Sequence, residues 1–194
     1  MNKIIFVVGL PGSGKTILTN SLFEGKSKFY HADWGWKFNI NEDGTLKESF
    51  NDDYRFEQLL NQIKQGTNLV IDGGYLCNHK FLLEGEYYLK LNFPGIEIER
   101  YYFENNPKDA IANVLYREHV GGNYWKKVEG NYIFSGHHCV VEGPNLGRRQ
   151  YEVIIDNINK LSKNYIIPPT YTPLQIEVQD EKFYRGWKVL IKNN

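Results

Sequence analysis

Residues Gly9-Leu10-Pro11-Gly12-Ser13-Gly14-Lys15-Thr16 fit the pattern G-x-x-x-x-G-K-[ST], a loop built to cradle phosphate. The apolar, β-branched run Ile4-Ile5-Phe6-Val7-Val8 precedes it, and the helix-capable segment Ile17-Leu18-Thr19-Asn20-Ser21-Leu22-Phe23 follows. Strand, loop, helix is the setting that the motif requires. Gly9, Gly12 and Gly14 admit backbone angles closed to other residues, so successive N–H groups can turn inward on phosphate oxygens. The helix N-terminus adds its partial positive charge. In this pattern Lys15 reaches the β- and γ-phosphates and Thr16 offers a hydroxyl to Mg²⁺. Residues Gly9 to Thr16 are therefore expected to hold the phosphates of a nucleotide, with Mg²⁺.

Working outward, strands and helices alternate. Phe29 to Ala32 reads as a second strand ending at Asp33, and a turn is expected at Glu42-Asp43-Gly44. Tyr54 to Gln65 carries Phe56, Leu59, Leu60 and Ile63 at helical spacing, and Gly66 closes it. Asn68-Leu69-Val70-Ile71-Asp72 is a buried strand with an acid at its C-terminal end. A helix is expected over His79 to Leu91 and a strand over Ile96 to Phe103. Asn106-Pro107 then starts a helix running to about Glu118. Residues 120–146 are the least regular. A helix returns over Arg148 to Ser162, a strand is expected at Tyr165-Ile166-Ile167, and Ile176–Val178 with Trp187–Ile191 suggests a terminal hairpin. The pattern predicts an α/β chain of the P-loop NTPase type. One domain spans 1–194, a parallel sheet flanked by helices. A lid is expected at about 118–147 and a small β extension at about 168–194. In such sheets ligands gather at the C-terminal strand ends, so Asp33, Asp72 and the loop are expected to converge.

The 194 residues suffice for a sizeable single core. With 23 basic and 23 acidic residues, the chain is not one that coats long duplex DNA by charge alone, although a local basic groove stays open to it. Two cysteines, Cys77 and Cys139, make no disulfide framework and suggest a reducing compartment. No stretch approaches a membrane span. The expectation is a cytoplasmic protein without membrane contact.

Several side chains could carry chemistry. Asp33, at the end of the second strand, fits either a general base facing the γ-phosphate or a turn and helix-cap carboxylate. His31, Trp34 and Trp36 lie beside it; the tryptophans suit stacking on a ring substrate or simple core packing. Asp72 fits the acid that holds Mg²⁺ or orients the acceptor, with Tyr75 close behind it. Arg117, near the end of its helix, suits a clamp on the transferring phosphoryl group or a side chain favoured there by the helix dipole. Arg148 and Arg149 are candidates for adenine or phosphate contact, and Lys126-Lys127 for a polyanionic substrate. His137-His138-Cys139 has no matching Cys/His pair elsewhere and is not read as a metal site.

The N-terminal two-thirds resembles the P-loop kinase group that contains phage-type 5′-polynucleotide kinases and zeta-toxin-like kinases. Gly9 to Thr16 is the strongest match. Phe29 to Asp33 resembles the strand leading to that group's catalytic aspartate, and Val70-Ile71-Asp72-Gly73-Gly74-Tyr75-Leu76 its V-x-D-x-T-N-L strand and turn. Phe103 to Pro107 with Arg117 resembles its fourth strand and lid helix. The resemblance implies ATP-dependent phosphorylation of a hydroxyl. Asp33 would be the base, Lys15 and Arg117 the clamps, and Asp72 would lie near metal or acceptor. The implied acceptor is a nucleic acid or nucleoside-like molecule, either a 5′-hydroxyl end or a hydroxymethylpyrimidine in DNA. The chain departs from the group at Gly73-Gly74-Tyr75, which replaces Thr-Asn. It departs again at Gly121-Gly122, where a second basic residue is expected, and residues 120–194 match nothing in it. Few alanines among many Asn, Lys and Ile suggest an AT-rich, phage-like source.

Two other readings compete. One is a kinase of a small metabolite or sugar. The other is a nucleotide-dependent switch, but Asn159-Lys160-Leu161-Ser162 lacks the acid of N-K-x-D and Asp72-Gly73-Gly74-Tyr75 fails D-x-x-G.

Overall fold

The computed structural model describes residues 2–16, 18–19, 29–33, 43, 45, 54–120, 125–128, 131–134, 150–171 and 173–174. Of residues 33, 54, 55, 116–120, 125–128, 131–134, 150, 151 and 174 it describes the backbone alone. Strand β1 (Lys3–Val8) is apolar on both faces, the pattern of a strand covered from two sides. It is central. β3 (Asn68–Gly73) pairs with one edge and β4 (Glu97–Phe103) with the other, both parallel. β2 (Phe29–Asp33) lies outside β3. A two-residue strand, β7 (Pro173–Leu174), lies outside β4, giving the order β2-β3-β1-β4-β7.

Helices cover this sheet. α1 begins at residues 15 and 16 and continues through 18 and 19. α2 is Tyr54–Lys64, α3 His79–Asn92, α4 Pro107–Val120 and α5 Gln150–Asn164. Their ends follow local chemistry. Gly66, at φ 83°, ends α2 with a bond from its N–H to the Ile63 carbonyl and one from Thr67 to Gln62, satisfying carbonyls that the helix leaves open. Asn78 caps α3 by accepting from the Lys80 N–H, and Asn106 caps α4 by accepting from Asp109.

Register sorts the strands into two faces. Ile4, Phe6 and Val8 align with Leu69 and Ile71 and pack into one core with Phe56, Leu59 and Ile63 of α2, Leu82 and Leu89 of α3, Val114 of α4 and Ile158 of α5. On the other face, Val7 aligns with Asp72, and Asp72 with Asp33. Chain order reverses about β1, whose neighbours come from opposite sides. The crevice at such a reversal, beyond the C-terminal strand ends, is where ligands bind in open α/β sheets.

Three expectations change. Tyr165–Ile167 is not a sheet strand: Tyr165 forms a lone bridge to Asn78, and residues 166–168 are irregular. The β-branched pair reads as a strand, but Tyr165 turns inward, its hydroxyl within reach of the Val8 and Phe103 carbonyls at 3.1 and 2.5 Å, while Pro168 lacks an N–H for a ladder. The outer strand is instead Pro173–Leu174. Residues 120–146, expected to be irregular, contain an antiparallel pair, β5 (Trp125–Val128) with β6 (Asn131–Phe134). The turn expected at Glu42–Gly44 is described at Asp43, whose carboxylate accepts from the Thr45 N–H and hydroxyl. The proposed terminal hairpin lies outside the described residues. Among the described residues no helix is long and apolar enough to cross a membrane.

Candidate functional site

The loop between β1 and α1 adopts the conformation that its glycines permit. Gly12 and Gly14 have φ of 84° and 94°, a region costly for residues with a Cβ. The loop is also tightly enclosed. A Cβ on Gly9 would lie 2.6 Å from Ser13 Oγ and 2.9 Å from Phe103 Cβ; one on Gly12 would lie 2.5 Å from the Ala110 carbonyl oxygen. The Ser13 N–H donates to the Leu10 carbonyl and the Leu18 N–H to the Gly14 carbonyl, fixing the turn into α1. Lys15 is buried at 9% exposure, and its Nζ donates to the Leu10 carbonyl at 2.9 Å. A buried ammonium at a glycine loop is an expensive arrangement to keep unless chemistry uses it.

Asp72, at the end of β3, is almost wholly enclosed. One of its oxygens, Oδ2, is approached by Thr16 Oγ1 at 3.4 Å, Thr19 Oγ1 at 3.5 Å and His31 Nε2 at 3.3 Å. These distances are at the long limit of hydrogen bonding. Three groups from two elements, α1 and β2, therefore surround the oxygen without holding it tightly. A cleft of about 210 Å³ opens over it, lined by Pro11, Gly12, Gly14, Lys15, Thr16, Asp72, Gly73, Gly74, Val114 and Ile154. The lining is mostly polar backbone and charged or hydroxyl side chains, suited to phosphate more than to an apolar ligand.

Beneath the loop lies a buried layer. The Cys77 thiol accepts from the Gly9 N–H. Its pKa is pushed up from 9.0 to about 12, first by burial, which the nearby Lys15 charge and the Gly9 N–H only partly offset. Burial also pushes the Tyr165 hydroxyl up. Both groups stay neutral, so the layer under the loop carries no competing negative charge.

Expected site residues fall into three groups. Pro11, Gly12, Gly14, Lys15, Thr16 and Asp72 line the cleft, Gly9, Leu10 and Ser13 complete the loop, His31 meets Asp72, and Tyr75, in the 3₁₀ turn Gly74–Cys77 just after Asp72, is 41% exposed. Asp33 is described by its backbone, which aligns with Asp72 in the β2–β3 register; Arg117 is likewise described by backbone, on α4. Trp34, Trp36, Arg148 and Arg149 lie outside the described residues, as does His137-His138-Cys139. Among the described residues no group of three or more His, Cys, Asp or Glu forms a metal cluster.

Two side chains that the sequence did not single out also address the site. Thr19 is one turn after Thr16 and meets the same carboxylate oxygen. Asn113 of α4, 6% exposed, donates its side-chain N–H to the Gly12 carbonyl at 3.0 Å. The i, i+3 threonine pair was a legible signal. Asn113, about a hundred residues from its partner, left none.

No protein-family model matches the chain, and no curated protein matches it. Among solved structures, a chain of the Pnkp1/Rnl/Hen1 RNA repair complex is similar at 14% identity and a TM-score of 0.43, over 93% of this chain and 53% of that one. The chain thus spans about half the length of that neighbour.

Proposed function

We propose that the protein is an ATP-dependent phosphotransferase that moves the γ-phosphate to a hydroxyl of a nucleic acid or nucleoside-like acceptor. The observation that carries the nucleotide part is the pairing of a positive-φ glycine loop and buried Lys15 with an enclosed Asp72 across one cleft. The hydroxyl acceptor is drawn from the sequence resemblance.

The loop N–H groups and the α1 N-terminus bind the phosphate chain. Lys15 neutralises charge on the β- and γ-phosphates. The Thr16 hydroxyl and the Asp72 carboxylate are hard oxygen donors 3.4 Å apart, the donor type that Mg²⁺ takes. When bound, Mg²⁺ would add charge neutralisation at the phosphates. Asp33 accepts the proton of the acceptor hydroxyl as its oxygen attacks the γ-phosphorus. The bond to the β–γ bridging oxygen breaks and ADP leaves. Arg117 would balance charge on the phosphoryl group in flight, and Arg148 would contact the nucleotide at adenine or phosphate. His31, Trp34, Trp36 and Tyr75 would contact the acceptor.

The test is incubation with γ-labelled ATP and Mg²⁺ against 5′-hydroxyl DNA and RNA, hydroxymethyluracil-containing DNA, nucleosides and sugars. Asp33→Asn is expected to lower transfer about 10²- to 10⁴-fold while ATP affinity changes little. Full transfer by that variant would remove Asp33 from the base role. ATP binding with no labelled acceptor would count against the kinase reading.

A further inference from the structure

A phosphate-binding loop turns its N–H groups inward, so its carbonyls turn outward. An outward carbonyl that is partly shielded from water gains from a donor supplied by the surrounding fold. At Gly12 that donor comes from α4: Asn113 gives its side-chain N–H to the Gly12 carbonyl at 3.0 Å and is itself 6% exposed. The contact is close as well as polar. A Cβ on Gly12 would meet the Ala110 carbonyl oxygen at 2.5 Å and Val114 Cγ2 at 3.1 Å. Residues 110, 113 and 114 are thus the stripe of α4 that lies on the loop, and position 117 is the next on that stripe, one turn past 113.

We infer that Asn113 is a positioning residue that couples the phosphate loop to the helix bearing Arg117. This rests on the kinase reading above. With the N–H in place, α4 cannot slide or tilt without moving Gly12. The height of position 117 above the loop is then set by one hydrogen bond and one close backbone contact. Ordering of the loop around nucleotide is transmitted to α4, and position 117 becomes fixed when phosphate is present. Asn113 reaches neither phosphate nor acceptor; it acts through Arg117.

The coupling is testable with and without chemistry. Hydrogen exchange in the wild type is expected to show ATP protecting both the loop, residues 9–19, and α4, residues 107–120. In Asn113→Ala, ATP is expected to protect the loop alone. In steady-state assays Asn113→Ala is expected to lower kcat about tenfold to a hundredfold, as a misplaced group does, with the KM for ATP within a few-fold. The loss is expected to vanish in an Arg117→Ala background, because a residue acting through another adds nothing once that other is gone. Asn113→Leu keeps the volume without the donor and serves if the alanine variant unfolds; Lys108→Ala, exposed on the same helix, is the control. Unchanged α4 protection in Asn113→Ala would overturn the coupling, as would a kcat loss that multiplies with that of Arg117→Ala. Failure of the wild type to bind ATP would instead sink the kinase reading and this inference with it.

Discussion

Two carboxylates are buried on opposite faces of the sheet, and the fold treats them differently. Glu86 on α3 is 3% exposed and Asp72 on β3 is 1% exposed. Both oxygens of Glu86 are taken by the guanidinium of Arg100 on β4, which also donates to the Tyr171 hydroxyl and stacks over its ring. That pairing raises the Arg100 pKa and leaves the ion pair complete. Among the described residues no guanidinium reaches Asp72. Two hydroxyls and an imidazole stand 3.3–3.5 Å from one of its oxygens. A buried charge costs several kcal/mol of desolvation whichever way it is used. At Glu86 the partner within the chain offsets that cost; at Asp72 the offset is left for something that enters the cleft. The first is an anchor that ties α3 and residue 171 to β4, and the second is the carboxylate proposed to serve the cleft.

Neutralising each carboxylate in turn is expected to separate stability from activity. Asp72→Asn removes a charge that the chain does not pair tightly. Its unfolding free energy is expected to stay level or rise, while transfer falls about a hundred- to a thousandfold, matching the loss of several kcal/mol of metal-assisted stabilisation. The two readouts are a urea titration and the labelled-ATP assay. A protein that loses stability and keeps transfer would put Asp72 with Glu86 as structure.

Glu86→Gln is the mirror experiment. It strands Arg100, whose side chain is 18% exposed, and is expected to cost about 3 kcal/mol, a fall in Tm of about 6–12 °C for a chain of this size. Transfer by the folded fraction below the transition should stay within a few-fold of wild type. A large loss of transfer at full folding would mean that the anchor also shapes the cleft.

The same contrast explains what the sequence could and could not reveal. The loop, β1 and Asp72 were legible because each is a contiguous pattern: a glycine spacing, an apolar run, an acid at its end. The caps at Gly66 and Asn106 were legible for the same reason. The Glu86–Arg100 pair was not, since one partner lies in a helix and the other in a strand, with no local pattern joining them. Nor was the role of Tyr165. Its neighbours Ile166 and Ile167 carry a strand signal, and only the tertiary reach of its hydroxyl to the Val8 and Phe103 carbonyls shows that it ties together the C-terminal ends of the paired strands β1 and β4. The β5–β6 pair was missed because four-residue strands in an aromatic, glycine-rich stretch give too short an alternation to count. Position in a strand placed Asp33 beside Asp72, and register bears that out for the backbone.

Cys77 offers a third buried ionisable group and the smallest effect. It lies under the loop, neutral, with its pKa moved from 9.0 to about 12 mainly by burial. A raised pKa means that the folded protein holds the thiol proton more tightly than the unfolded chain does. Its contribution is therefore fully present below about pH 9 and is lost as pH rises from 9 toward 12. Between pH 8 and pH 10 the loss from this one group is expected to be about 1.4 kcal/mol. Cys77→Ala will lower stability at pH 8 by removing buried volume, but its stability should fall less between pH 8 and pH 10 than the wild type's. The difference of the two slopes isolates Cys77, because the tyrosines pushed up by burial, Tyr102 and Tyr165, are present in both proteins. Equal slopes would mean that the thiol ionises as readily when folded as when unfolded. The layer beneath the loop would then not be dry, and the argument that Lys15 faces no competing charge from below would fail with it.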